Sequence, residues 1–165
     1  MRLLLHKLMV LYLLGTAVVG HAAGLWAGQV VYVVDGDTVH VKPQSGGDVR
    51  KIRLKDMDAP EICQSWGPES RQALSGLLLG QMVWVQPLGK DDYQRMLARV
   101  FVERQDAGAW MVSQGHAWSY RWRGRQAPYD ELEAQAHAQR RGLFSQSGLE
   151  SPRNFRRRHG SCYAH

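Results

Sequence analysis

Acidic side chains able to hold a metal ion are concentrated in two short segments of the chain. The turn at residues 35–38 (DGDT) has two carboxylates one residue apart, and the segment at residues 56–61 (DMDAPE) supplies three more acids. Carboxylate and carbonyl oxygens are the ligands that a hard cation such as Ca²⁺ prefers. The two segments together indicate a candidate site for a divalent cation.

Arginine side chains are placed where they could face such a cation. Arg53 precedes the second acidic segment, and Arg95 ends the polar turn at residues 92–95 (DYQR). Each signal alone is also typical of a structural role without chemistry. Asp-Gly-Asp is a common turn, and a lone surface arginine usually joins a weak ion pair. The order and spacing of all these segments are more specific than any one of them.

The elements that must position these residues read as strands first and helices later. Short β-branched runs separated by turn residues predict five strands, at residues 30–34, 39–41, 49–54, 82–85 and 97–102. Apolar stripes and capping residues predict helices at residues 67–80, 110–114 and 128–141. The predicted fold class is α+β, a five-stranded barrel of the oligonucleotide-binding kind with about three helices.

Composition and charge limit the possible classes of protein. The chain has 165 residues, of which 44% are hydrophobic and 22% charged, so a disordered or collagen-like chain is excluded. The formal net charge is +6, but the basic excess lies in residues 1–23 and 151–165, and the part between them has as many acidic as basic side chains. Any argument for a nucleic-acid partner must therefore rest on where the charges lie.

The N-terminal residues have the pattern of an export signal. Arg2 and Lys7 precede an apolar run at residues 8–20, and small residues follow, with cleavage expected after Ala22 or Ala23. The run is shorter than the roughly 20 residues of a membrane-spanning helix, although an uncleaved anchor is the alternative. We expect a signal peptide at residues 1–23, a mature form without a membrane span, and a periplasmic or secreted location.

The two cysteines could connect the basic C-terminal residues to the rest of the chain. In an oxidising compartment Cys63 and Cys162 suggest a disulfide, with two free thiols as the alternative. We divide the exported chain into a domain at residues 24–150 and a basic tail at residues 151–165, which we expect to be disordered or loosely docked. A disulfide would hold this tail near the second acidic segment, where its charge could attract an anionic substrate.

Five segments together resemble one family. The runs VVDGDTVHV, IRLKDMDAPE, DYQRMLARVFV, QGHAWSYR and ELEAQAHAQRRGLF, within about residues 28–145, are similar to the staphylococcal (micrococcal, thermonuclease) nuclease domain. The resemblance implies a calcium-dependent phosphodiesterase that cleaves DNA and RNA, on a five-stranded barrel with three helices. We expect the protein to act as a monomer.

The resemblance also implies roles for the acidic segments. Asp37 and Asp58 correspond to carboxylate ligands of Ca²⁺, and Ala59 stands where the family often has threonine and supplies a backbone carbonyl. Glu61 corresponds to the carboxylate that orients or deprotonates the attacking water. A cation and fixed positive charges at this place would stabilise the charge that develops on the phosphate during hydrolysis.

The remaining predicted site residues face the nucleic acid. By resemblance, Arg53 and Arg95 grip the scissile phosphate, for which an arginine offers a two-pronged fork that lysine lacks, and Tyr93 lies beside the nucleotide. Tyr120 or Trp122 could stack on a base, but either ring could equally be part of the core.

Two other classes of function compete with the nuclease interpretation. A non-catalytic nucleic-acid-binding module of the same fold is the alternative, although such a module would not need the complete set of acids and arginines. A serine or zinc hydrolase is excluded because the chain contains neither G-x-S-x-G nor H-E-x-x-H.

Overall fold

The computed structural model describes residues 24–121, 124–160 and 162 of the chain. The predicted signal peptide and Trp122 lie outside these described residues. The strands in chain order are β1 (Trp26–Val33), β2 (Thr38–Pro43), β3 (Arg50–Leu54), β4 (Met57–Asp58), β5 (Met82–Lys90), β6 (Met96–Val102), β7 (Gln105–Asp106) and β8 (Trp118–Ser119). The α-helices are α1 (Gly67–Leu78), α2 (Ala107–Ser113), α3 (Asp130–Ala138) and α4 (Pro152–His159), and a short 3₁₀ helix spans Gly142–Ser145.

Five of the strands close into a barrel. β1 pairs with β2 and β5, β2 with β3, and β5 with β6, all antiparallel, while β3 and β6 pair in parallel and complete the circle. This closure leaves no free edge on β3, the strand that carries Arg53. The prediction of an α+β fold with a five-stranded barrel is confirmed.

The barrel interior is filled by the apolar side of each strand. Ile52 and Leu54 alternate with basic neighbours on β3 and are 0% and 1% exposed. The other fully buried side chains of the five barrel strands, among the described residues, are Val30, Val39, Val41, Val83, Val85, Ala98 and Val100. Leu74 and Leu78 of α1 belong to the same core cluster, so α1 is fixed against the barrel by its apolar stripe.

The helices differ from their predicted bounds for local reasons. α1 begins as expected, with Pro68 in its first turn. α2 starts three residues before the expected Trp110, because the Asp106 side chain accepts hydrogen bonds from the N–H groups of Gly108 and Ala109. α3 is shorter than expected at both ends and is followed by the 3₁₀ helix.

The C-terminal residues correct the expectation of a loosely docked tail. Pro152–His159 forms a helix, and the Ser151 hydroxyl accepts the Asn154 N–H at 3.4 Å at its start. Cys63 and Cys162 are joined, with their Cα atoms 5.9 Å apart. The fold therefore has four α-helices in its described residues, one more than expected, and the fourth is attached beside the second acidic segment. None of the helices in the described part of the chain is long and apolar enough to span a bilayer.

Candidate active site

The turn between β1 and β2 carries Asp35 and Asp37. The Asp37 backbone N–H donates to Asp35 Oδ1 at 3.0 Å, which stabilises the turn locally. Thr38 stands opposite Arg53 in the β2–β3 register, and the Asp37 carbonyl accepts the Leu54 N–H at 2.8 Å. Asp37 is therefore held at the end of β3, and only 4% of its side chain is exposed.

Arg53 joins the two acidic segments. Its Nη1 donates to Asp37 Oδ1 at 2.7 Å, and its Nη2 donates to Asp58 Oδ1 at 2.8 Å. One planar guanidinium thus binds two different carboxylates, which a lysine ammonium group at the end of a flexible stem cannot reproduce in the same geometry. Three of the predicted site residues lie together in this way.

The second acidic segment is positioned by short strands and by direct contact with the first. Asp58 pairs with Trp118 where β4 meets β8. The Ala59 N–H donates to Asp37 Oδ2 at 3.3 Å. The backbone at the predicted carbonyl ligand is therefore in contact with one of the two predicted carboxylate ligands.

Two glycines allow α1 to approach both acidic segments closely. A Cβ at Gly36 would lie 2.0 Å from Ser70 Oγ and 2.7 Å from Ala59 Cβ. A Cβ at Gly67 would lie 2.0 Å from the carbonyl oxygen of Glu61. Neither position has room for a side chain, so the relative placement of the acids depends on these glycines.

Arg156 of α4 also lies in the acidic cluster, and sequence analysis did not single it out. Its Nη2 donates to Asp58 Oδ2 at 3.0 Å, and its Nη1 donates to Asp58 Oδ1 at 3.2 Å and to Glu61 Oε1 at 2.8 Å. These contacts join residues more than ninety positions apart. The available signals were the Ser151-Pro152 helix start and the pairing of the cysteines.

The charges of the cluster shift the pKa values of its members. Burial by itself lowers the pKa of Arg53, but the charges of Asp37 and Asp58 outweigh burial, and the pKa is raised. The same balance raises the pKa of Arg156, through Asp58 first and Glu61 second. Burial and the charge of Asp37 raise the pKa of Asp35 to about 7. Both guanidinium groups therefore stay charged.

Arg95 and Tyr93 lie on the turn before β6. Arg95 Nε donates to Asp91 Oδ2 at 2.6 Å, and the guanidinium lies 5.4 Å from the centre of the Tyr93 ring, which is 81% exposed. The turn leads directly into β6, which pairs with β3 in parallel and sets Met96 opposite Ile52. The hydrogen bonds described for Arg95 are to Asp91 and not to the acidic cluster.

Tyr120 lies next to the cluster, beside a cleft of about 190 Å³. Its backbone N–H donates to the Asp56 carbonyl at 2.9 Å, and 36% of the residue is exposed. The cleft is lined by Asp58, Trp118, Tyr120, Arg121 and residues of the start of α4, among others. An aromatic ring therefore lies beside the candidate metal ligand, together with Arg121, whose Nε donates to Asp130 Oδ2 at 3.0 Å.

The described residues contain no group of three or more His, Cys, Asp or Glu side chains arranged to hold a metal ion. The donor set nevertheless suits a hard cation, because Asp37 and Asp58 supply carboxylate oxygens that converge on one positive group, Arg53. Asp37, Asp58 and the Ala59 carbonyl are the groups that would hold such an ion. With such an ion in place, the cation and the neighbouring guanidinium groups would be suited to binding a phosphodiester and stabilising added negative charge on it.

Comparison with known proteins gives a consistent result. A family model described as staphylococcal nuclease homologue matches residues 51–146, which end before α4. The chain is 37% identical to the micrococcal nuclease of Shigella flexneri over 146 residues, covering 80% of this chain and 83% of the relative. It is 35% identical over 129 residues to an uncharacterized endonuclease of Haemophilus influenzae, covering 78% and 72%. It is also 37% identical over 155 residues to protein ParB of Escherichia coli, covering 86% of each chain. The match to the family model and the identity with these relatives, together with the five-stranded barrel, show that the chain belongs to the staphylococcal nuclease homologue family.

Proposed function

We propose that this protein is an exported, calcium-dependent nuclease that hydrolyses phosphodiester bonds of DNA and RNA. The observation that carries the proposal is the guanidinium of Arg53 bound between Asp37 and Asp58 at 2.7 and 2.8 Å. The acids and the arginine required for metal-assisted phosphate chemistry are thereby within one cluster. Family membership supports the nuclease class, and export, calcium and the choice of substrate are our extension of it.

In this proposal Ca²⁺ is held by Asp37, Asp58 and the Ala59 carbonyl. When bound, the ion would act as a Lewis acid toward the phosphate. Glu61 positions the attacking water and accepts its proton. Arg53 donates to the phosphate oxygens once it has left Asp37 and Asp58, since a planar fork matches two oxygens of one phosphate.

The substrate is gripped by residues on two further loops. Arg95 is the second phosphate-binding arginine, for which it must leave Asp91, and Tyr93 lies against the nucleotide. Tyr120 is placed to offer a stacking surface beside the cleft next to Asp58. Each of these roles is a proposal that a single substitution can test.

The cellular context is also proposed. Residues 1–23 direct export and are removed near Ala22 or Ala23, and the protein acts as a monomer in the periplasm or outside the cell. An oxidising compartment of this kind suits the bond between Cys63 and Cys162. Residues 24–150 form the nuclease domain.

The test is cleavage of single-stranded DNA and of RNA by the purified protein, with Ca²⁺ and then with a chelator. We expect cleavage only with Ca²⁺, and loss of about 10²-fold or more in the Glu61→Gln variant, as for removal of a general base. Glu69→Gln, an exposed acid on α1, is the matched control and should keep full activity. Cleavage in chelator would contradict the metal role, and binding of nucleic acid without cleavage in Ca²⁺ would identify the non-catalytic module.

A further inference from the structure

The guanidinium of Arg156 occupies the oxygen atoms that a cation would need. It donates to both carboxylate oxygens of Asp58, at 3.2 and 3.0 Å, and to Glu61 Oε1 at 2.8 Å. Asp58 Oδ1 also accepts from Arg53 at 2.8 Å. Both oxygens of one proposed metal ligand are therefore already bound to positively charged donors.

This arginine is held in place by a helix with its own anchors. The α4 helix lies beyond the residues that the family model matches, its first residue Pro152 is buried, and Gln64 Nε2 donates to the Glu150 carbonyl at 2.6 Å just before it. Arg158 also pairs with the Glu150 side chain. The segment that leads into the helix is therefore attached to the loop before α1 through Gln64, in addition to the contacts of Arg156.

The disulfide attaches this helix close to the acids. Cys63 follows Glu61 by two residues, and Cys162 follows Arg156 by six. The chain already links these groups, and the disulfide adds a much shorter connection, which raises the effective concentration of Arg156 at the acids. Arg156 therefore meets Asp58 and Glu61 far more often than a free cation of the same charge would.

A guanidinium and a divalent cation compete for the same carboxylate lone pairs, and their like charges repel each other at contact distance. A cation can bind Asp58 as proposed only when Arg156 has withdrawn from it. The apparent affinity for the cation is then reduced by the fraction of molecules in which the carboxylate is free.

We propose that Arg156 is a tethered internal competitor of the metal ion, so that docking of α4 and the Cys63–Cys162 bond set the affinity of the site for Ca²⁺. The inference rests on the proposed function, because it takes Asp37 and Asp58 as the ligands of the cation. It explains why the described residues hold the right donors without a preformed metal site.

The test is calorimetric titration of the purified protein with Ca²⁺ alone, which does not depend on cleavage. Arg156→Gln should lower the dissociation constant for Ca²⁺ by roughly tenfold, the effect of releasing a charge-assisted fork from the ligand. Arg157→Gln removes the same charge from the exposed next position of the helix and should change the constant by less than about twofold, as for a screened surface charge.

The tether is tested by a cycle of variants. Replacing both cysteines by serine should also lower the dissociation constant while Arg156 is present. The same replacement in the Arg156→Gln background should have no further effect, because the competitor is already absent. Arg156→Lys, which keeps a charge but loses the fork, should fall between the wild-type protein and Arg156→Gln, and it replaces the glutamine variant if that does not fold.

The outcomes separate this inference from the proposed function. A Ca²⁺ affinity that is unchanged or weaker in Arg156→Gln, or absent in all variants, would overturn the competition. Calcium-dependent cleavage by the wild-type protein in the same preparation would leave the nuclease proposal standing in each of those cases. Absence of any cleavage alongside a tenfold gain in affinity would instead reject the nuclease proposal and keep the competition at the metal site.

Discussion

Replacing Arg53 by lysine tests whether one guanidinium organises the candidate site. Arg53 is 18% exposed at its side chain, and its partners Asp37 and Asp58 are 4% and 5% exposed. The two hydrogen bonds come from different nitrogens to different carboxylates. A lysine ammonium can stay with one carboxylate but cannot keep both contacts, so at least one charge-assisted hydrogen bond is lost.

The expected loss of stability depends on which ion-pair partners each carboxylate keeps after the substitution. Asp58 keeps Arg156, whereas Asp37 has Arg53 as its only ion-pair partner among the described residues. Arg53→Lys should therefore lower the free energy of unfolding by about 1.5 kcal/mol, the lower end for a hydrogen bond to a charged group. Arg53→Gln leaves the nearly buried Asp37 without a counter-charge and should cost about 3 kcal/mol.

Urea unfolding followed by tryptophan fluorescence measures both values in the absence of metal. Arg50→Lys is the matched control, since Arg50 is an exposed arginine of the same strand, and it should change stability by less than about 0.5 kcal/mol. Added Ca²⁺ should restore part of the stability of Arg53→Gln, because a ligand that binds only the folded state stabilises it. In cleavage, Arg53→Lys should lose about 10²-fold. A lysine variant as stable and as active as the wild-type protein would refute the idea that the two-pronged contact matters.

Three further predictions concern the surroundings of this arginine. Gly36→Ala would bring a methyl group to 2.0 Å from Ser70 Oγ. We expect the free energy of unfolding in urea to fall by about 1–3 kcal/mol and Ca²⁺ binding, measured by calorimetry, to weaken. Unchanged stability and binding would show that the turn has room to move. Glu61→Gln should retain the far-ultraviolet circular dichroism spectrum of the wild-type protein and lose no more than about 1 kcal/mol of stability, for its weakened contact with Arg156, while losing cleavage. Loss of the folded spectrum would contradict a chemical role. Burial lowers the pKa of His116, whose Nδ1 accepts the Trp66 indole N–H at 3.2 Å, so the unfolded chain binds the proton more readily and the stability from this group is lost as pH falls through about 6.5. Urea midpoints at pH 7.5 and 5.5 should differ less for His116→Gln than for the wild-type protein, and equal differences would reject this source of pH dependence.

Much of the barrel was predictable because its information is local. The alternation of Ile52 and Leu54 with basic residues identified β3 and its buried side, and the apolar stripe of Leu74 and Leu78 identified α1. The start of α2 was misplaced because its position depends on a cap by Asp106, which competes with the apolar pattern that begins later. The two-residue strands β4 and β8 have too little sequence to produce a periodic signal.

The candidate site divides in the same way between local and distant information. The structure brings Asp37, Arg53 and Asp58 together, and the sequence indicates this proximity because the acids follow or precede adjacent strands in an ordered pattern. The sequence does not indicate that Arg156 joins this cluster, because α4 is rich in arginine and docks through ion pairs rather than through an apolar stripe. The pairing of Arg95 with Asp91 was equally invisible, since a four-residue spacing in a polar turn does not say whether the two side chains meet.

The cystine between Cys63 and Cys162 has a further consequence for the integrity of the molecule. The joined residues are 99 positions apart, and the span between them holds β5 to β8 and the four α-helices of the described residues, whereas β1 to β4 precede Cys63. A protease that nicks any one surface loop within this span leaves two fragments that remain covalently attached. A molecule cut once within this span would therefore remain one particle, and the break would become visible only after a reducing agent separates the pieces.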